Sequence, residues 1–349
     1  MSSELKAIFE KLAAREDLTR AEARWVCERI MAGELAEATI GALLGAIAVK
    51  GESVDELVGA AEAMRAASVR VRCDADCIDT CGTGGDGIST FNVSTTAAII
   101  AASAGAVVAK HGNRSTTRAS GSTEVLTQLG IGTDAPVQIV ERCLAEARIG
   151  YLNARLLHPA MKFAAPVRQA IPIRTIFNLL GPLTNPAGAR RQVLGVPHVD
   201  LTEKIAAALL QLGAVHAWVV HGEGLCDLTA TGRTSVVEVH GGRINRFTIE
   251  PESMGIKRSP LDALRIETPE QSAEAIRFVL NGGVGPRRDH ALLNAAAALH
   301  VAGVAMDLGE GIALAAQAVD SRAARQTLEL WRSMAPISKE TRPTRELRS

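Results

Sequence analysis

The amino-acid sequence predicts an α/β protein: a small all-helical amino-terminal domain, then a larger domain built on a mostly parallel central sheet. Residues 1–73 carry only helical periodicity. From Cys77 onward, short strand-like segments alternate with helical ones, the pattern of a parallel sheet covered by helices. A chain of 349 residues, 47% of them hydrophobic, is long and apolar enough for two domains with full cores.

In the first domain, Thr19 with Glu22 and Ser53 with Glu56 fit the capping box, where hydroxyl and carboxylate satisfy reciprocal backbone donors at a helix start. Between them ATIGALLGAIAVKG is apolar almost all round, so this helix needs neighbours on several sides. A helical bundle satisfies that need, either alone or by also meeting a second subunit.

The second domain is read as 74–336. Its strands are CIDTC, AVVAK, IGYLN, QVLGV and AWVVH, followed by a hairpin, SVVEVHGGRINRFTI, turning at Gly241-Gly242. Between residues 159 and 186 the rhythm breaks into helical segments with Pro and Gly at their ends, expected to cross back to the small domain. Thr268, Pro269 and Gln271 open a capped helix with proline at its favoured first position. Residues 337–349 lack an apolar period and read as a mobile tail.

Composition excludes several functions. Lys+Arg and Asp+Glu both number 38, so no global field gathers nucleic acid or anionic lipid. Aromatics are 3%, too few to stack bases along a strand. The start MSSELKAIFEKL has no signal-peptide apolar region, and the longest nearly apolar run, Ala97 to Ala109, is too short to span a bilayer. The expectation is a cytoplasmic protein without nucleic-acid or membrane partners. Cys73, Cys77 and Cys81 are spaced C-x3-C-x3-C, which is either a metal set or small buried thiols; strand alternation would make the side chains diverge and favours thiols.

The informative stretch is DTCGTGGDGISTFNVST, Asp79 to Thr95. It satisfies G-x-G-x-x-G literally, yet the helical pattern starts only near Ser94, and the next strand ends in Lys110 and His111, not in an acid for a ribose. A Walker A loop is excluded because no G-K-[ST] follows. Glycines let main-chain N–H groups approach anionic oxygens, and Asn92, Ser94 and Thr95 stand at a helix start. The next strand runs into KHGNRSTTRASGS, rich in cationic and hydroxyl groups. Two such loops at the carboxyl ends of successive strands fit a ligand with two phosphate groups, the alternative being ordinary Gly/Ser-rich turns.

In order, GTGGD at Gly82 to Asp86, NVST at Asn92 to Thr95, KHGNR at Lys110 to Arg114, SGS at Ser120 to Ser122, HPAMK at His158 to Lys162, Arg168, and RTIFNLLGPLTNP at Arg174 to Pro186 resemble the anthranilate phosphoribosyltransferases over nearly the whole chain. The resemblance implies the nucleoside phosphorylase/phosphoribosyltransferase type of fold, pentosyl transfer from phosphoribosyl diphosphate to anthranilate in tryptophan biosynthesis, Mg2+ on the diphosphate, and a homodimer formed through the amino-terminal helices. It carries phosphoribosyl-diphosphate contacts onto Gly82, Gly85, Asp86, Thr90, Asn92, Val93, Ser94, Thr95, Lys110, His111, Gly112, Asn113, Arg114, Ser115, Thr116, Thr117, Arg118 and Ser122. Anthranilate contacts fall on Gly82, Asn113 and Arg168. A guanidinium grips a carboxylate bidentately, although without the resemblance Arg168 reads as a solvated helix residue. His111 either orients the acceptor amine or bonds its own loop.

One departure from the family pattern concerns metal. Where the family usually has HGEDGLDE, with an adjacent Asp and Glu as Mg2+ ligands, this chain has HGEGLCD from His221, so the pair is Cys226-Asp227. A thiol is a poor ligand for a hard cation. Ser94 and Asp227 remain for one Mg2+, with Glu223 as a nearby alternative, and a second ion loses its support. The rival readings are a nucleoside phosphorylase, whose second signature and additional carboxyl-terminal domain are missing from the sequence, and a noncatalytic nucleic-acid-binding relative, favoured only by Cys226.

Overall fold

The computed structural model of the chain describes residues 3–115 and 118–338. Four helices come first: α1 (Ser3–Ala13), α2 (Arg20–Ala32), α3 (Glu37–Lys50) and α4 (Val54–Ala66). Both predicted capping boxes form, at Thr19 and Ser53. Glu56 does more than cap. Its carboxylate is fully buried, accepts from Ser53 N and Leu18 N, and pairs with Lys50 Nζ at 3.0 Å. That ties three helix ends together.

The second part runs β1 (Ile78–Gly82), α5 (Val93–Ser103), β2 (Val108–Gly112), α6 (Ser122–Gln128), α7 (Val137–Arg142) and β3 (Ile149–Asn153). It continues through α8 (Ala154–Leu157), α9 (Ala165–Ala170), α10 (Phe177–Leu180), β4 (Arg191–Gly195), α11 (Asp200–Gln211) and β5 (His216–His221). The hairpin β6 (Thr234–His240) and β7 (Arg243–Ile249) follows, then α12 (Pro269–Leu280), α13 (Pro286–Ala302), α14 (Leu308–Asp320) and α15 (Ala323–Met334). All seven strands join one sheet in the order β3-β2-β1-β4-β5-β6-β7. The first five are parallel, and the hairpin adds two antiparallel strands at one edge.

Strand alternation divides the core. Ala217 and Val219 face a cluster shared with α1–α4, α10 and α11, whereas Trp218 and Val220 face a second cluster with α5 and α13–α15. The amino-terminal helices therefore pack onto the sheet in one continuous apolar layer. Segment 158–183 contributes Ala164, Val167, Phe177 and Leu180 to that layer, and α9 packs against α3. At the carboxyl end, Gly132 N bonds Ala335 O and Ile131 bridges Pro336. Of the tail expected at 337–349, residues 339–349 lie outside the described residues.

Candidate active site

The strand order changes direction at β1: β2 and β3 extend the sheet on one side, β4 and β5 on the other. Ligands of open α/β sheets bind in the crevice that such a reversal leaves at the carboxyl ends of the strands. Gly82 and Gly195 are partners at those ends. A Cβ on Gly195 would stand 1.7 Å from the carbonyl oxygen of Cys226, so only glycine lets the loop after β5 lie across the crevice. Beside it opens a cavity of about 310 Å3 lined by Cys81 to Gly85, Asn92, Ser94, Lys110 to Asn113, Ser115, Arg118, Ser120 to Ser122, Arg174, Asn178, Cys226 and Asp227.

The Gly-rich loop is held open by its surroundings. Arg174 donates from Nη1 to Gly84 O at 3.1 Å and from Nη2 to Thr83 O at 3.4 Å. Gly85 has φ +89°, and a Cβ there would fall 1.4 Å from Arg174 Nη1. Asp86 turns beneath the loop. Its carboxylate accepts from Arg118 Nε at 2.7 Å and from Arg118 Nη2, and also from the amides of Cys226 at 3.1 Å and Ile88 at 3.4 Å. Asp86 thus joins three loops and is not among the cavity-lining residues.

At the end of β2, Lys110 is 1% exposed, donating to Thr80 O at 2.7 Å and Ser94 Oγ at 3.2 Å. Burial pushes its pKa down, and the charge of Asp79 works against that. Asp79, fully buried, accepts from His111 N at 3.1 Å and Asn185 Nδ2 at 2.8 Å; burial lifts its pKa to about 6 while Lys110 resists. His111 Nδ1 bonds Gly181 O at 3.1 Å, which leaves Nε2 as the lone-pair nitrogen, buried without a protein partner. Burial drives its pKa down to about 3, so it is neutral.

Other predicted residues are placed differently. Asn92 lines the cavity, but its amide is bonded within the protein, accepting from Ser120 Oγ at 2.8 Å and Ser272 Oγ at 2.7 Å. Thr90, Val93 and Thr95 are buried behind the loops, and the hydroxyls of Thr90 and Thr95 lack partners. Arg114 is exposed outside the cavity lining. Thr116 and Thr117 lie outside the described residues. Arg168, on α9, is half-buried above the ring of Phe177 at 5.6 Å, with no acid partner among the described residues. Neither Arg168 nor Phe177 is among the cavity-lining residues.

The three closely spaced cysteines do not converge. Cys73 and Cys77 share a thiol hydrogen bond, which lowers the Cys73 pKa to about 7, while Cys81 Sγ accepts from Gln192 Nε2 at 3.1 Å. The loop after β5 fits a hard cation better. Asp227 is buried, lines the cavity with Ser94, and its carboxylate has no hydrogen-bond or ion-pair partner among the described residues. Burial raises its pKa to about 7, opposed first by Arg118. Cys226 points its thiol at Asp86, and burial pushes that thiol up. Glu223 is exposed, and its carboxylate occupies the space beside Gly232, away from the cavity. Two oxygen donors, Ser94 and Asp227, thus suit Mg2+.

The family described as "Glycosyl transferase family, a/b domain" matches residues 74–325, and its helical bundle domain matches residues 6–68. An anthranilate phosphoribosyltransferase of Anaeromyxobacter dehalogenans is 52% identical over 325 residues, 93% of this chain and 96% of that one. The chain belongs to the anthranilate phosphoribosyltransferases. The enzyme of Chloroflexus aurantiacus is 49% identical over 93% of this chain and 96% of its own. Among solved structures, the anthranilate phosphoribosyltransferase of Thermus thermophilus has a TM-score of 0.89 at 41% identity, covering 94% of this chain and 98% of that one. The Saccharomyces cerevisiae enzyme in complex with PRPP and Mg has a TM-score of 0.87 at 25% identity, covering 96% and 98%.

Within this family member, sequence reasoning missed Arg174 and Asn178 as cavity residues, and Asp79 and Asn185, which together hold the end of β2. Arg174 and Asn178 were visible within RTIFNLLGPLTNP, but nothing in that string tells which side chains face the Gly-rich loop. No described helix is long and apolar enough to cross a membrane.

Proposed function

We infer that the chain transfers the phosphoribosyl group of phosphoribosyl diphosphate to the amine of anthranilate, giving N-(5-phosphoribosyl)anthranilate and diphosphate, a step toward tryptophan. One observation carries this reading: Gly-rich main chain after β1 and the cationic segment after β2 line one cavity of about 310 Å3, a size suited to a small ligand. The amides of Gly82 to Gly85, with Lys110, Asn113, Ser115, Arg118 and Ser122, bind the phosphate groups. Asp86, Thr90, Asn92, Val93 and Thr95 act from behind, fixing the loops. Arg174 adds a cation at the loop that the sequence did not single out. Anthranilate sits toward Gly82, Asn113 and Arg168, whose guanidinium, lacking an acid partner among the described residues, is open to pairing with its carboxylate.

Mg2+, when bound by Ser94 and Asp227, neutralises leaving-group charge. The residues of the chain do the rest. Losing diphosphate from C1 develops positive charge on the ribose, so stabilising the departing anion and positioning the amine lower the barrier. An aromatic amine arrives unprotonated, and a strong general base is not needed. Neutral His111, tied through Nδ1 to Gly181 O, holds the wall of the cavity.

Anthranilate fluorescence tests the reading. Signal should fall when phosphoribosyl diphosphate and Mg2+ are supplied, with stoichiometric formation of the phosphoribosylated product; folded protein that leaves it unchanged at saturating Mg2+ contradicts it. Phosphorolysis of a pyrimidine nucleoside, or salt-dependent retention on DNA without turnover, would favour the rivals instead. We further read the protein as cytoplasmic and as a homodimer paired through its amino-terminal helices, where Val49 of α3 is 72% exposed. Light scattering measures that mass.

A further inference from the structure

His216, Glu238 and His300 come together at the opposite end of the sheet from the cavity. His216 opens β5, and Cα pairing sets it against His240 and Trp218 against Glu238. Residues two apart on a strand share a face, so all four project to the side covered by α13. His300, in the last turn of α13, closes the group. One ligand atom from each of His216, Glu238 and His300 lies within 4.8 Å of the others. His216 Nε2 is 2.9 Å from Glu238 Oε1.

Supporting contacts already set the rings as metal sites require. His300 Nδ1 bonds Ala305 O at 3.3 Å, leaving Nε2 as the lone-pair nitrogen, and ligating histidines usually donate their other N–H to such a carbonyl. Glu238 is oriented by Trp218 Nε1 at 2.9 Å and Asn245 Nδ2 at 3.3 Å. His240 stacks on His216 at 4.2 Å and fixes its plane. The neighbouring cation Arg191 is committed to Asp76 and to Val301 O. Exposed His240 marks an entry from solvent.

We propose that His216, Glu238 and His300 bind a borderline divalent cation of the zinc class, at a site separate from the Mg2+-type oxygens of Ser94 and Asp227. Two imidazoles and one carboxylate are the donor set of such ions, whereas Mg2+ prefers oxygen. Ligands of a tetrahedral ion stand about 3.3 Å apart, given metal–ligand bonds of about 2.0–2.1 Å. The pairs with His300 contract by about 1.5 Å at most, and the His216–Glu238 pair opens by about 0.4 Å, to close the set. The ion takes the place of the proton between His216 and Glu238, and water completes its shell. From His216 to His221, at the cavity end of β5, the strand rises about 16 Å, so the two sites do not share ligands.

The test is titration of the full-length, chelator-treated protein with Zn2+ by calorimetry, with thermal unfolding as a second readout and Co2+ as a spectroscopic probe. The expected result is one Zn2+ per chain and a raised Tm. Affinity should weaken at least about tenfold in both Glu238→Gln and His300→Gln and remain unchanged in Asp227→Asn. Co2+ on the unaltered protein should give the intense visible bands of a four-coordinate ion without a thiolate charge-transfer band, a readout independent of whether any variant folds. Absence of stoichiometric Zn2+ binding, retention of it in both variants, its loss in Asp227→Asn, or a thiolate band each overturns the proposal.

Discussion

Arg118 grips the carboxylate of Asp86 through two of its guanidinium nitrogens, joining the loop after β1 to the loop after β2. The Asp86 side chain is fully buried and that of Arg118 is 20% exposed, so removing the acid leaves a largely buried cation unpaired. Asp86→Ala is expected to cost about 3–5 kcal/mol in urea unfolding and to raise KM for phosphoribosyl diphosphate. Asp86→Asn, which retains an acceptor, should cost less. Unfolding midpoints indistinguishable from the parent would remove the bracing role.

Cys226→Asp restores a second carboxylate beside Asp227. Since the Cys226 side chain faces Asp86, the new charge meets a like charge before any metal arrives. The variant should bind Mg2+ more tightly and, without Mg2+, unfold at a lower temperature. Calorimetry and thermal unfolding with and without Mg2+ check both halves. An unaltered Mg2+ dependence would mean that Cys226 is immaterial to the metal.

Arg168→Lys keeps the charge but loses the planar fork and its stacking above Phe177. KM for anthranilate should rise by about tenfold while KM for phosphoribosyl diphosphate stays within about twofold. Steady-state kinetics in each substrate separates the two. Equal rises in both would place Arg168 in loop architecture and not against anthranilate.

Much of this site was legible because glycine and cationic residues at strand ends have few structural uses in common. GTGGD and KHGNR begin on the last residues of β1 and β2 and run into the loops at their carboxyl ends. What the sequence left open was direction. Asp86 in a glycine-rich loop reads as a ligand contact, yet Arg118, 32 residues away, turns it inward. Asn92 is likewise held by Ser272, a partner 180 residues distant that no local pattern reveals. Glu238 and His216 read as ordinary strand residues until antiparallel pairing and α13 bring His300 to them.

His290 offers a pH measurement outside the cavity. Fully buried on α13, it accepts from Ala230 N at 3.2 Å through Nδ1, and burial pushes its pKa down to about 4. Its ordinary value is 6.5, so the unfolded chain binds the proton more readily. The stability this provides is complete above about pH 6.5 and is lost as pH falls toward 4. Asp79 and Asp227, with raised values, act in the opposite sense and cancel when two variants are compared. Between pH 7 and 4, His290→Gln should lose less stability than the parent by on the order of 2–3 kcal/mol. Parallel curves would show that His290 does not titrate this way.

Amide hydrogen exchange with and without phosphoribosyl diphosphate and Mg2+ tests most directly whether the two strand-end loops form one phosphate cradle. The account predicts slowed exchange concentrated in residues 82–88 and 110–122, appearing together at the same ligand concentration. Protection of one loop without the other, or protection confined to surfaces away from both, would contradict it.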